Sequence, residues 1–242
     1  METLILIAVV GAVVAFFAFL IRHHRAWQEK QKRNVTRAAD RARALGWRFE
    51  SQESGDIRWR MHGHSPGGKP WTLHYDLDAG SSSSNPRLVF TATGLPAREA
   101  ELCTVHPKLG VALLCGAGRA TIKFAGALVA SFNKKHADNF TAFYHDAVQV
   151  EPRDPRLRKV VLFLCRERTL CERVFDREVE RLLLDWPKGS TPAFTSSGHV
   201  ELTYGSEGLV IKVAERDGAL PVAEHLARLG GAIVDRLANR FQ

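Results

Sequence analysis

The chain has 242 residues, of which 45% are hydrophobic and 25% charged, an ordinary balance for a globular protein that excludes wholesale disorder. Its formal net charge is +8 at pH 7, and residues 22–45 hold eight Lys or Arg against two Asp or Glu. Because this basic segment directly follows a long apolar run, anionic lipid headgroups explain its charge better than nucleic acid does. The composition therefore disfavours a nucleic-acid-binding protein.

The first predicted element is the apolar run itself, residues 3–21, which contains no charged side chain. As a helix it would be about 28 Å long, close to the ~30 Å hydrocarbon core of a bilayer. A cleaved signal peptide would have basic residues before the run and a small-residue cleavage motif after it, and both are missing. A buried core helix would carry a polar stripe. We therefore predict that residues 1–21 form an uncleaved transmembrane signal anchor.

The charges beside this run predict its orientation. Lys and Arg that flank a membrane helix stay preferentially in the cytoplasm. Here they all follow the run, and only Glu2 precedes it. We therefore expect a single-pass protein of the cell membrane, with its N-terminus outside and its C-terminal domain in the cytoplasm. The side chains expected to contact the bilayer and its anionic headgroups are Arg22, Arg25, Trp27, Lys30, Lys32 and Arg33.

Two small residues within the run, Gly11 and Ala15, have the small-xxx-small spacing that lets two membrane helices approach closely. They are a candidate packing face for a homodimer of anchors. After the run, residues 22–46 predict a basic juxtamembrane helix, which Gly46 would end. A second apolar stretch, residues 110–132, carries Arg119 and Lys123 near its centre and is therefore expected to lie in the core of the domain.

From residue 47 the hydrophobic period changes to two, which is typical of strands. "WRFES" (47–51) predicts a first strand and "RLVFTAT" (87–93) a later one. Between them, residues 57–76 predict an antiparallel hairpin, because two alternating segments flank the turn-rich "HSPGGKP". Keeping the apolar residues on one face pairs Trp59 with Tyr75. The same register would place Arg58 opposite Asp76.

The C-terminal part repeats this pattern. The proline-containing "EPRDPR" (151–156) is the best candidate boundary between an α+β half at 47–150 and a second half at 151–242. In the second half, "RKVVLFLC" (158–165) predicts a buried strand or the start of a helix. A continuous amphipathic helix is expected over 170–186, then a hairpin over 199–214 and a final helix over 221–238. This organisation, a helix-hairpin-helix half after a half rich in antiparallel strands, predicts the α+β class.

The most suggestive catalytic motif is "GHSPG", residues 63–67, which matches the G-x-S-x-G pattern of serine hydrolases. That pattern requires a helix directly after the serine, whereas prolines and glycines followed by a strand come after Ser65. We interpret the motif as a hairpin loop. His62, His64 and His74 would share the hairpin, but the neighbouring arginines disfavour a cation, so a solvated polar sheet face is the preferred interpretation.

The remaining polar side chains suggest no coherent active site. Glu172, Asp176 and Glu180 run along a predicted helix beside arginines, which predicts a salt-bridged, solvated face. Scattered cysteines without zinc-type or CxxC spacing are usually small buried hydrophobes, and disulfides would form only in an oxidising compartment. The four cysteines are Cys103, Cys115, Cys165 and Cys171. No catalytic residue, metal or cofactor is predicted, and whether the protein is an enzyme is left open.

These patterns favour a membrane-anchored protein whose cytoplasmic α+β domain serves protein–protein interaction or assembly of a membrane complex. Two alternatives stay open: a membrane-tethered enzyme that acts on a lipid or small molecule, and a ligand sensor that signals through pairing of its anchors. The first alternative would require a deep pocket with convergent polar groups.

Overall fold

The computed structural model describes residues 2–51, 57–76, 87–97, 99–105, 143, 146–187, 194–195, 198–214 and 220–239. Within them the helices are α1 (Glu2–Ala44), α2 (Pro155–Arg158), α3 (Arg168–Val174), α4 (Arg177–Leu184) and α5 (Leu220–Ala238). The first seven strands are β1 (Arg48–Ser51), β2 (Ile57–His64), β3 (Pro70–Asp76), β4 (Arg87–Ala92), β5 (Leu102–Val105), β6 (Val148–Val150) and β7 (Leu162–Cys165). The last four are β8 (Phe194–Thr195), β9 (Gly198–His199), β10 (Glu201–Gly205) and β11 (Gly208–Ala214).

Nine of these strands form one antiparallel sheet in the order β1-β2-β3-β4-β11-β10-β5-β7-β6, and β8 pairs with β9 alone. The chain is thus an α+β protein, as predicted. The late hairpin β10–β11 lies between β4 and β5, so strands from 47–150 and from 151–242 alternate within the sheet. The proposed division of the chain at 151–156 stays a prediction. The apolar stretch at 110–132, with Cys115, lies outside the described residues.

Both predicted hairpins are confirmed. In the first, Trp59 pairs with Tyr75, as expected, and their rings stack at a centroid distance of 5.9 Å. The expected pairing of Arg58 with Asp76 is wrong, because the register shifts between residues 57 and 59 and Ile57 faces Asp76 instead. An extra residue on one strand of an antiparallel pair produces such a β-bulge, which alternation alone does not reveal.

The main core lies on the sheet face that α1, α3, α4 and α5 cover. On this face Leu73, Phe90 and Ile211, which are paired neighbours across β3, β4 and β11, are completely buried. Strand β7 is buried on both faces, since Phe163 belongs to the main core whereas Leu162 and Leu164 belong to a smaller apolar cluster.

The predicted continuous helix over 170–186 is wrong, because the structure has two helices there. Helix α3 ends at Val174, and Phe175 has a non-helical backbone conformation. The Asp176 carboxylate then accepts hydrogen bonds from the backbone N–H groups of Glu178 and Val179, both at 3.0 Å. This N-cap starts α4. The apolar face is nevertheless kept, since Val174, Phe175 and Val179 are buried.

Candidate functional site

Helix α1 contains every residue predicted to contact the membrane. Four large apolar side chains before the basic segment are more than half exposed, namely Phe16, Phe17, Phe19 and Ile21. Arg22, Arg25, Lys32 and Arg33 are exposed directly after them. The side chains of Trp27, Lys30, Gly11 and Ala15 lie outside the described residues, so their predicted contacts stay predictions.

In the part of the chain that the structure describes, no helix has the length and apolar character needed to cross a membrane. The side chains of residues 1–15, which make up most of the predicted anchor, are not described. The membrane span at residues 3–21 therefore stays a prediction.

The C-terminal end of α1 is docked on the domain. Ala38 and Ala42 are buried in the main core, with relative exposures of 1% and 0%. The Arg41 guanidinium donates two hydrogen bonds to the Glu224 carboxylate of α5, at 2.6 and 2.8 Å. The predicted stop at Gly46 agrees with the end of α1 at Ala44, where the Trp47 N–H donates to the Ala42 carbonyl at 2.8 Å. The helix that contains the basic segment therefore also packs on the domain through its C-terminal end.

Ser65 lies in the turn between β2 and β3, which confirms its interpretation as a hairpin-loop residue. Its hydroxyl donates to the Asp235 carboxylate of α5 and accepts from the Lys69 N–H at 3.1 Å. The second Asp235 oxygen accepts from the Gly67 N–H at 3.0 Å. Because the serine is 5% exposed and its hydroxyl is engaged on both sides, the motif fastens the hairpin to α5.

The hairpin histidines do not converge on one point. His62 contacts Thr72 through Nδ1 at 3.1 Å, and its Nε2 lies 3.6 Å from Glu50, a carboxylate that the sequence pattern did not associate with it. Burial lowers the pKa of His74. Within the described ranges, no group of three or more His, Cys, Asp or Glu side chains is arranged to hold a metal.

The prediction of a salt-bridged, solvated acidic face on residues 172–180 is wrong for Glu180, whereas the Glu172 and Asp176 side chains are 48% and 38% exposed and form ion pairs. Glu180 is 4% exposed, and its two oxygens accept the backbone N–H groups of Arg153 and Asp154 at 2.8 and 3.0 Å. Asp176 caps α4 and also accepts hydrogen bonds from Arg236 of α5 at 2.6 and 2.8 Å. These carboxylates therefore join α4 to the β6–α2 loop and to α5.

The Glu180 contact forms one wall of a cleft of about 570 Å³, which we call the β6–α3 cleft. Its lining includes Glu151, Arg153, Phe163, Arg168, Cys171 and Glu172. The Phe163 ring is parallel to that of Phe175, with centroids 3.6 Å apart, and the two rings form an apolar floor. Cationic and anionic side chains among the lining residues provide charged groups for a small polar ligand.

One cysteine, Cys171, lines this cleft. Cys165 ends β7 and Cys171 lies in the middle of α3, and both are completely buried. The Cys165 thiol donates to the Val148 carbonyl oxygen at 3.7 Å. The hydrogen bond from Cys171 lowers the pKa of Cys165, whereas the same bond and burial raise the pKa of Cys171.

Comparisons with protein-family models, curated proteins and solved structures gave no match to this chain. Its function must therefore be argued from its own residues. Sequence reasoning missed the β6–α3 cleft because its walls come from two strands, a loop and two helices.

Proposed function

We propose that this chain is a single-pass membrane protein, anchored by residues 1–21 with its N-terminus outside. In this proposal its cytoplasmic α+β domain serves protein–protein interaction in a membrane assembly. The observation that carries the proposal is the exposed apolar surface of Phe16, Phe17, Phe19 and Ile21 on α1. Large apolar side chains grouped in this way mark a surface that another apolar phase covers.

The charge that follows this surface supports the bilayer as that phase. The apolar side chains give way within one residue to exposed Arg22 and Arg25. A membrane helix typically emerges into a cytoplasmic headgroup region rich in anionic lipid at such a boundary. The bilayer and its anionic headgroups are therefore the first proposed partners.

The continuity of α1 favours an assembly role for the domain. Residues 21 and 38 of an uninterrupted helix are separated by about 25 Å along its axis. Because Ala38 and Ala42 are buried in the core, the helix that leaves the membrane is also part of the domain. The anchor therefore fixes the distance and direction of the domain relative to the bilayer, as a component of an ordered assembly requires. A flexible linker would instead leave the distance and direction of the domain relative to the bilayer undefined.

Site-specific photocrosslinking of the full chain in cells tests this proposal. We expect a discrete crosslinked partner with the wild-type protein. A kink at the exposed Thr36, made by Thr36→Pro, should reduce the crosslinked product several-fold, because proline breaks the helix between anchor and domain. The matched control Thr36→Ala keeps the helix and should retain the product. A domain that crosslinks to no protein would contradict the interaction role, and equal yields from both variants would contradict the need for a rigid helix.

A second candidate is the ligand sensor, and the β6–α3 cleft favours it. A volume of about 570 Å³ lies within the usual size of small-molecule sites. A sensor predicts that a small polar metabolite raises the unfolding temperature of the full chain and changes crosslinking between anchors at Gly11 and Ala15. A ligand that raises the unfolding temperature without changing anchor crosslinking would favour the tethered enzyme over the sensor.

A further inference from the structure

The two edge strands of the large sheet, β1 and β6, differ in how they are protected. Strand β1 carries an ion pair between Arg48 and Glu50 at 2.8 Å, and helix α1 packs against it. Charged side chains and a covering element are the usual devices that keep an edge strand from pairing further. Strand β6 has the uncharged sequence Val-Gln-Val. Among the described residues, its only strand partner is β7.

The register of β7 determines which backbone groups it turns toward β6. The Arg166 N–H donates to the Glu101 carbonyl at 3.0 Å, so these residues continue the β5–β7 ladder as a hydrogen-bonded pair. Residues along an antiparallel strand direct their backbone groups to alternate sides. Cys165 and Phe163, one and three residues before Arg166, therefore direct their N–H and C=O groups away from β5 and toward β6.

The same alternation leaves the middle residue of β6 facing the edge of the sheet. The two β7 residues that bond to β6 pair with Val148 and Val150. The N–H and C=O of Gln149, between them, therefore point away from β7 and meet no strand of the described structure. Gln149, Val150 and Glu151 all line the β6–α3 cleft, so this side of β6 borders open space among the described residues. The edge thus presents a backbone donor and acceptor to a further strand.

We propose that β6 is an interface through which two copies of this chain pair edge to edge, antiparallel, about a two-fold axis at Gln149. Val-Gln-Val reads the same in both directions, so in this register Val148 of each copy faces Val150 of the other. Both valines lie on the main-core face, which keeps apolar side chains together. Gln149 faces its own counterpart, and its amide can both donate and accept. A two-fold interface requires this kind of self-complementarity.

The charges beside the edge also fit a second copy. The cleft next to β6 carries both signs, from Arg153 and Arg168 and from Glu151 and Glu172. A surface of mixed sign meets its own copy without the repulsion that a patch of one sign would cause. A strongly acidic or strongly basic partner, by contrast, would find no matching patch of opposite sign here.

The short length of β6 makes the pairing weak in dilute solution, since it has three residues. Confinement of two copies in one membrane raises their effective concentration and so favours the pair without any new contact. This step rests on the proposed membrane anchor, whereas the edge geometry does not. The pairing gives the proposed assembly role a specific partner, a second copy of the chain.

Cysteine crosslinking in a detergent-free lysate tests the pairing. The full chain carries Cys115→Ser, because the other three native cysteines are buried. In the proposed register the Cα atoms of two Gln149→Cys residues are about 5.5 Å apart, a distance that a disulfide spans. After oxidation with copper phenanthroline, we expect several-fold more disulfide-linked dimer from Gln149→Cys than from Arg48→Cys on the opposite edge strand. Equal yields at the two edges would overturn the proposal.

Glu151→Cys is the matched control for the register. Its two copies would lie four residues apart along the strands, about 14 Å, which is too far for a disulfide. Co-expressed Glu151→Cys and Ala147→Cys chains should crosslink, because the register places residues 147 and 151 opposite each other. As much dimer from Glu151→Cys alone as from Gln149→Cys would show random collision and overturn the proposal. Crosslinking of Gln149→Cys mainly to a different protein would overturn the second copy as the occupant of this edge.

A proline at the edge separates pairing from folding. Because the N–H of Gln149 points outward, Gln149→Pro removes a donor to the second copy but no hydrogen bond to β7. Gln149→Ala is its control, since alanine keeps the N–H. Both variants should unfold close to the temperature of the parent chain, while the crosslink between residues 147 and 151 falls several-fold in the proline variant alone. An unchanged crosslink in a folded Gln149→Pro chain would overturn the proposal.

Fractionation separates the fate of this inference from that of the proposed function. The crosslinked lysate is divided into membrane and soluble fractions, and the Gln149→Cys comparison is repeated with the purified full chain at high concentration. Absence of the Gln149→Cys dimer from both preparations would overturn the interface and leave the anchor untouched. A dimer of a chain that is found only in the soluble fraction would overturn the anchor and keep the interface.

Discussion

Glu180 provides the sharpest test of how the helical layer is held to the sheet. Its carboxylate is buried and accepts the N–H groups of two successive residues of the β6–α2 loop, Arg153 and Asp154. Glu180→Ala removes both acceptors and leaves the two donors facing the cleft. Glu180→Gln keeps one carbonyl oxygen but places an amide N–H₂ against the second donor.

The magnitude follows from the number of hydrogen bonds lost. A hydrogen bond to a charged group contributes about 1.5–3 kcal/mol net, and water that enters the cleft favours the lower value. The two bonds to Glu180 therefore contribute about 3 kcal/mol together, and Glu180→Gln should lose about half of that. For a protein of this size, about 3 kcal/mol corresponds to a fall in melting temperature of about 6–12 °C.

Thermal unfolding of the full chain in detergent, followed by tryptophan fluorescence, measures these shifts. Glu172→Gln is the matched control, because Glu172 lines the same cleft but its side chain is 48% exposed and lies 3.8 Å from Arg168. The control should change stability by less than about 0.5 kcal/mol. If Glu180→Ala unfolds within 2 °C of the control, as ~0.5 kcal/mol would predict, the carboxylate does not hold the loop and the reasoning fails.

Three further predictions concern stability. Burial alone would raise the pKa of Asp176, but hydrogen bonds from Val179 and Arg236 lower it overall. Its contribution to the stability of the fold is therefore present above the ordinary carboxyl pKa and is lost as the pH falls through the lowered value. Asp176→Asn should thus cost most stability near pH 7 and least in acid. Burial lowers the pKa of His225 in the folded chain. As the pH drops below about 6.5, this histidine is protonated in the unfolded chain before it is protonated in the folded one, so the free energy of unfolding should fall. His225→Gln should reduce this fall. Gly208→Ala should cost more than about 2 kcal/mol, because φ is +102° and the added Cβ would lie 2.1 Å from the Ala92 carbonyl oxygen.

Each of these predictions has a matched control. Asp146→Asn and His64→Gln replace exposed residues of the same types and serve as the matched controls. Gly68→Ala has the same unfavourable sign of φ, at +77°, but its Cβ would meet no atom within 4 Å, so its cost should be clearly smaller than that of Gly208→Ala. Equal losses in the two glycine variants, or pH profiles that run parallel to wild type, would contradict the respective explanations.

The parts of the fold that the sequence predicts are those with local causes. Alternation and turn residues are sufficient for both hairpins, including the pairing of Trp59 with Tyr75. The insertion of β10–β11 between β4 and β5 has no local signal, because it depends on strand edges far apart in the chain. The end of α3 was missed for a different reason, since Asp176 fits an amphipathic pattern as well inside a helix as at its N-cap.

The site was less predictable than the fold. A pattern of alternating charges assigns Glu180 to a solvated face, and only the tertiary structure brings the proline-containing loop at 151–156 over it, with backbone donors that need an acceptor. The contact between this loop and α4, and not the preference of either segment alone, determines the role of Glu180.

The most direct test of the central claim is the location of the C-terminus, measured with two reporters fused separately after Gln242. Alkaline phosphatase is active only outside the cytoplasm, whereas a fluorescent protein that fails to fold after export reports the cytoplasm. The membrane-anchored, cytoplasmic arrangement predicts a fluorescent membrane fraction and an inactive phosphatase fusion. An active phosphatase without fluorescence would reverse the orientation, and a fluorescent fusion found wholly in the soluble fraction would contradict the anchor itself.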